Sequence, residues 1–205
     1  MIPPRLVLAT ANPGKIAELR ALVAEWGPVE VRALPEVGAV TLPVETGATY
    51  LANALLKARA VAAATGLPAL ADDSGLEVEA LGGAPGVRSA RWAPTDGARI
   101  AKLLDALRDV PPPRRGARFR CVVVLAWPDG RSEAAEGTCA GQVALSPAGS
   151  TGFGYDPVFV ADELGCTLAE AGPEAKQRVS HRARAMRALG ARLRSGNVAC
   201  GPGPC

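Results

Sequence analysis

LPALADDSGLEVEALGGAPGVRSARWA, residues 67–93, is the stretch whose reading decides the fold. It opens with an apolar run of strand length that delivers two adjacent carboxylates, Asp72 and Asp73, to a Ser-Gly turn. Further on, Gly82-Gly83-Ala84-Pro85-Gly86 cannot be regular structure. Adjacent carboxylates repel and are costly to desolvate, so at the end of an apolar strand they demand a cation, a metal or a proton. Strand alternation sends the two to opposite faces, which gives them different jobs. Hard oxygen ligands suit Mg²⁺, which takes one or two carboxylates with waters and substrate phosphates. Asp-Asp-Ser-Gly is also good turn composition, and a plain surface turn stays open on these residues alone.

Outward from this strand the pattern alternates. Ahead of it a helix is expected from about Thr49 to Ala64, with Leu51, Ala54, Leu55, Ala58 and Ala62 as its apolar face. Behind it Asp96 begins another, with Ile100, Leu103, Leu104 and Leu107 inward, stopping before Pro111-Pro112-Pro113. The N-terminus opens with a buried strand, Arg5 to Thr10, then Ile16, Leu19, Leu22, Val23 and Trp26 at helical spacing, then a strand near Val29 to Leu34. After the prolines, RFRCVVVLAW and EAAEGTCAGQVAL form a hairpin about Pro128-Asp129-Gly130. A loop, GSTGFGYDP, a short strand, PVFV, and a helix with Ser180 as N-cap and Met186, Leu189 and Leu193 buried complete the chain. The expected class is therefore α/β, an elongated mixed β-sheet with flanking helices, and two lobes around a central substrate cleft. Residues 1–195 are expected to form one domain and 196–205 a flexible Gly/Pro-rich tail carrying Cys200 and Cys205.

Composition narrows the function. Hydrophobic residues are 48% and charged residues 21% of 205, which suits a folded chain and not a disordered one. A net charge of +3 with scattered basic residues gives no case for nucleic acid or a membrane surface. No apolar run approaches a membrane span and none at the N-terminus reads as a signal peptide, so the expected compartment is cytoplasmic. Five cysteines without Cys-x-x-Cys spacing give no structural zinc site.

Several constellations could carry chemistry. In TANPGK, Thr10, Ala11, Asn12, Pro13, Gly14 and Lys15 join a strand to a helix whose free N–H groups suit an anion, with Lys15 adding a point charge. A plain strand-to-helix turn is the alternative to this phosphate cradle. Only 4 of the 23 basic residues are lysine, namely Lys15, Lys57, Lys102 and Lys176, and three of them lie in or beside motifs. Tyr50, Asn53 and Lys57 form a polar stripe at i, i+3 and i+7, which on its own reads as a solvent face. Glu45, in VETG, is either an N-terminal charge or a metal ligand. FGYDP offers Phe153, Gly154, Tyr155 and Asp156 for stacking on a base and reading its edge, or as a core plug. His181 and Arg182 supply donors suited to carbonyl oxygens on a base, although a lone histidine is usually structural.

In this order, TANPGK, VETG, LADDSGLEVEALGGAPGVRSARW, GFGYDPVF and SHRARA resemble the inosine triphosphate pyrophosphatase family over about residues 6–193. The resemblance implies a homodimer and Mg²⁺-dependent hydrolysis of ITP, dITP and XTP to the monophosphate and pyrophosphate. It implies that Thr10 to Lys15 bind triphosphate, that Glu45 and Asp73 hold Mg²⁺ with Asp73 as the base activating water, and that Ser74 contacts substrate. Phe153, Gly154, Tyr155 and Asp156 would line the base pocket, with Lys176, His181 and Arg182 completing it and Lys57 and Asp72 in support. The family often has Glu-Asn where this chain has Ala52-Asn53, and the tail beyond about Arg194 has no family counterpart. The rivals are a related pyrophosphatase acting on methylated or pyrimidine nucleotides and a nucleotide sensor without turnover.

Overall fold

The computed structural model describes residues 1–38 and 40–196. The expected tail at 196–205 therefore lies, beyond Gly196, outside the described residues. Six strands, β1 (Arg5–Leu8), β2 (Glu30–Ala33), β3 (Ala69–Val78), β4 (Gly116–Ala126), β5 (Ser132–Val143) and β6 (Phe159–Ala161), form a sheet of order β2-β1-β3-β4-β5-β6. β1 pairs in parallel with β2 and β3, and β5 pairs antiparallel with β6, so the sheet is mixed as expected. Five helices accompany it among the described residues: α1 (Pro13–Ala24), α2 (Tyr50–Thr65), α3 (Asp96–Ala106), α4 (Leu168–Val179) and α5 (His181–Ser195).

The chain divides into two compact units. Among the described residues, the first comprises 1–38, 40–73, 122–136 and 184–196. Its core takes Leu6, Val7 and Leu8 from β1, Leu19, Leu22 and Val23 from α1, Ala54, Ala58 and Val61 from α2, and Met186 and Leu189 from α5. Each large side chain removed from water there contributes roughly 1.5–3 kcal/mol. Trp26 Nε1 donates to Met186 O at 3.2 Å, and a Cβ on Gly190 would lie 2.6 Å from that same nitrogen. The second unit, Ser74–Cys121 and Gly137–Ala183, packs Leu76, Leu103, Leu107, Phe119, Val158, Phe159 and Leu168 together. Phe119 meets Phe159 edge-on, with ring centroids 4.7 Å apart.

Local chemistry explains the helix ends. Asn12 accepts from Lys15 N, with Pro13 as the first helical residue of α1. Thr49 and Thr95 cap α2 and α3 by accepting from Ala52 N and Ala98 N. Thr167 and Glu170 form a capping box on α4. That helix has no counterpart in the sequence expectation, because Gly172, at φ 79°, and Pro173 interrupt its pattern and join two helical pieces across a kink. Ser180 accepts from Ala183 N and caps α5, as expected.

Two expectations change. Asp-Asp-Ser-Gly is not a turn, since β3 runs straight through it to Val78 and the chain turns only at Gly82, in the left-handed region at φ 61°. The face of α2 is also rotated from its predicted position. Tyr50, Asn53 and Lys57 are buried and Leu51 is exposed, so the polar stripe points inward. Its partners, described next, are what make that orientation stable.

Candidate functional site

The candidate residues fall into two groups, one in each unit. In the first, the C-terminal end of β1 leads to Thr10, whose Oγ1 accepts from Asn12 N, and on to the N-terminus of α1. Lys15, in the first turn of α1, brings its Nζ to 3.1 Å from Asp72 Oδ2. Lys57 Nζ donates to Glu45 Oε1 at 2.5 Å and to Asp72 O at 2.7 Å. Asn53 Nδ2 donates to Asp73 Oδ2 at 2.9 Å, while its Oδ1 accepts from Gly47 N at 2.7 Å. A Cβ on Gly47 would lie 2.6 Å from Asn53 Oδ1, so this approach requires glycine. Asn53 thus ties the loop bearing Glu45 to the carboxylate of Asp73. It stands in the polar stripe on α2 but received no role from the sequence; the signal was its i, i+4 spacing to Lys57.

Adjacent in the chain, Asp72 and Asp73 have different partners, as the two-fold period of a strand requires. The Asp73 carboxyl is raised above its ordinary value, chiefly by burial. Lys57 and the Asn53 hydrogen bond oppose the rise, Glu45 adds to it and Lys15 opposes it. Glu45 and Asp73 therefore feel one another as like charges, in an assembly of three carboxylates and two ammonium groups. Such a pair fits a hard divalent cation that brings its own waters. Among the described residues no group of three or more His, Cys, Asp or Glu side chains is placed to hold a metal ion by itself, so a cation here would take its remaining ligands from water or substrate.

In the second group, the loop before β6 is pinned from several sides. Asp156 is buried, and its Oδ2 accepts from Phe153 N at 2.9 Å and from Lys176 Nζ at 2.5 Å. A Cβ on Gly152, which sits at φ 80°, would lie 2.2 Å from that same oxygen. Lys176 Nζ then lies 4.5 Å from the centroid of the Phe153 ring, and the Arg182 guanidinium 5.7 Å from it. Arg182, 1% exposed, also donates from Nη2 to Ser74 Oγ at 3.0 Å. His181, 3% exposed, stacks on Phe119 at 4.6 Å with planes 9° apart. Tyr155 donates its hydroxyl to Ser89 O; burial pushes this phenol up to about 12, so it remains a donor across the physiological range. Phe153 offers a half-buried ring flanked by two cations, whereas Tyr155 and Asp156 are engaged within the protein. Ser89 received no role from the sequence; its hydroxyl also accepts from Leu76 N and donates to Gly86 O.

Comparison with known proteins gives consistent matches. A family model described as the Ham1 family matches residues 6–192. A dITP/XTP pyrophosphatase of Thermus thermophilus is 54% identical over 187 residues, covering 90% of this chain and 89% of that protein. Another from Yersinia pseudotuberculosis is 50% identical over 190 residues, covering 90% and 95%. Among solved structures, a HAM1 protein from Coxiella burnetii superposes with a TM-score of 0.83 at 39% identity, over 94% of this chain and all of the other. A nucleoside-triphosphatase / dITP/XTP pyrophosphatase from Mycobacterium abscessus gives 0.71 at 46% identity, over 90% and 97%.

Proposed function

The chain belongs to the Ham1 family, and from that premise we propose that it hydrolyses deaminated purine nucleoside triphosphates, ITP, dITP and XTP, to the monophosphate and pyrophosphate. The observation that carries the reading is Asp73: a buried carboxylate held by Asn53, its affinity for a proton raised, with Lys15, Lys57 and Glu45 around it. Relatives named dITP/XTP pyrophosphatases support the substrate class.

In this reading Thr10 to Lys15 hold the triphosphate, through the N–H groups at the start of α1 and the Lys15 ammonium. Glu45 and Asp73 hold Mg²⁺, which when bound would polarise phosphate oxygens and acidify a water. Asp73 takes a proton from the attacking water, and Asn53 fixes the orientation of its carboxylate. Attack falls in line at the α-phosphorus, and pyrophosphate leaves under the charge of Lys15. Lys57 keeps Glu45 in place, and Asp72 keeps Lys15 in place. Ser74, next to Asp73 in β3, is held by Arg182 and contacts substrate.

The Phe153 ring is the platform on which the base stacks, with Lys176 behind it. Gly154, Tyr155 and Asp156 shape that platform, since Asp156 fixes both Phe153 N and Lys176. Donors on His181 and Arg182 meet the 6-keto oxygen of hypoxanthine or xanthine. The 6-amino group of adenine would place donor against donor. The reading includes a homodimer and a cytoplasmic location, which light scattering and cell fractionation would test. No helix among the described residues is long and apolar enough to cross a membrane.

The test is release of pyrophosphate and IMP from ITP with Mg²⁺, set against ATP and GTP. Asp73→Asn should retain nucleotide binding and lose turnover by ~10²-fold or more, the usual weight of a general base. Near wild-type hydrolysis by that variant would remove Asp73 from the chemistry. His181→Ala should narrow the preference for ITP over ATP by ~10-fold, about one hydrogen bond. An unchanged ratio would place base reading elsewhere.

A further inference from the structure

The loop that carries Phe153 has anchors of its own. Phe153 N bonds Asp156, and both the N–H and the hydroxyl of Thr151 donate to Ala169 O. The next peptide is held differently. Gly154 N donates at 2.8 Å to Oδ2 of Asp96, in the first turn of α3. The other oxygen of Asp96 accepts from Arg99 Nη1 at 2.6 Å, and Arg99 Nε donates to Ala93 O at 2.9 Å. The carboxylate is thus oriented by a guanidinium that is itself fixed to the backbone. One residue further on, the Tyr155 hydroxyl donates to Ser89 O. Residues 89–99 therefore grip the loop at two successive positions immediately after Phe153. Gly154 lies in the left-handed region, at φ 65°, where a side chain would be strained, so an external acceptor is what defines its peptide.

We propose that Asp96 is a positioning residue for base recognition: by holding the Gly154 N–H it fixes the Phe153 ring against Lys176 and Arg182. The inference rests on the reading of Phe153 as the platform for the base. It also commits the Gly154 N–H to the protein, so recognition falls to the ring and to side chains, and not to this stretch of backbone. Loss of the latch frees the peptide that follows Phe153 while the Thr151, Asp156 and Tyr155 bonds stay, and the ring gains freedom that binding must remove.

Asp96 also sits where a negative charge favours a helix N-terminus, so the experiment separates the two roles. KM and kcat for ITP are measured for wild type, Asp96→Ala, Asp96→Asn and Thr95→Ala, with hydrogen exchange at the Gly154 amide followed without nucleotide. Asp96→Ala should raise KM by ~10-fold, the weight of one hydrogen bond to a charged group, with kcat within ~3-fold. Exchange at Gly154 should accelerate in the same variant. Asp96→Asn keeps an accepting oxygen and should recover most of the affinity and the protection. Thr95→Ala removes the cap of α3 and leaves the latch, so its KM should stay near wild type. A KM unchanged in Asp96→Ala, or raised as far by Thr95→Ala, overturns the proposal, as does undisturbed exchange at Gly154. Absence of ITP turnover in the wild type overturns the functional reading and with it the base-recognition role, even where exchange shows the bond to Asp96.

Discussion

Asp73 is held in a setting that favours its protonated form, because burial raises its carboxyl above the ordinary value. That preference supports the fold fully below the unfolded-state pKa and is lost as pH rises through the raised folded value. At neutral pH, without a cation, the ionised side chain is a net burden. Asp73→Asn should therefore unfold at a higher temperature than wild type at pH 7, by ~2–4 °C for each kcal/mol recovered, and the gap should close toward pH 4. Thermal unfolding in EDTA at both pH values checks this, and an equal or lower midpoint at pH 7 would refute it. At this scale the sequence was informative about residue types and silent about their partners. Lys15, Glu45, Lys57, Asp72 and Asp73 could all be picked out from it. That Lys57 bonds Glu45 and Asp72 O, and that Asp156 clamps Lys176 and Phe153 N, depends on contacts between residues far apart in the chain.

The elements show where periodicity suffices and where it fails. α1, α3 and α5 lie where apolar spacing and capping residues place them. α2 was located correctly and Ala54, Ala58 and Ala62 are buried as expected, but its polar stripe turns inward and Leu51 outward, because an Ala-rich helix has little amphipathic contrast and its burial is decided by polar partners on β3 and in the loop before it. α4 went unread because Gly172-Pro173 reads as a break, while its Thr167 and Glu170 cap was present in the sequence all along. Helix propensity alone would favour Gly190→Ala in α5 by about 1 kcal/mol. The added methyl would nonetheless press on Trp26 Nε1 and Cδ1, at 2.6 and 2.8 Å. That variant should lose stability by ~1–3 kcal/mol, the ordinary penalty of overpacking. Chemical denaturation reads the difference, and a more stable variant would show that Trp26 yields easily.

For the molecule as a whole, a ligand that binds only the folded chain raises its melting point in proportion to the logarithm of its concentration. Mg²⁺ at ~100 times its dissociation constant should add about 2.7 kcal/mol of stability to the wild type and markedly less to Glu45→Gln or Asp73→Asn. Differential scanning in the absence of nucleotide measures this, and equal shifts in all three would remove Glu45 and Asp73 as ligands. The class of fold, a mixed sheet with flanking helices, was legible from the order of strand and helix patterns, and the order of the motifs carried the family. The division of β3 between two compact units at Asp73 and Ser74 was not, since the apolar strand pattern continues to Val78 without a break. That strand has a further consequence for how such a gene can vary. Asp72, Asp73 and Ser74 stand in consecutive register with three separate partners, Lys15, Asn53 and Arg182. Exchanging a neighbouring side chain disturbs one position, whereas inserting or deleting a single codon upstream in β3 inverts which carboxylate faces which partner. A change in the length of β3 is therefore a heavier disturbance to the site than a substitution at one of its positions, and an insertion is better accommodated at a turn such as 127–131.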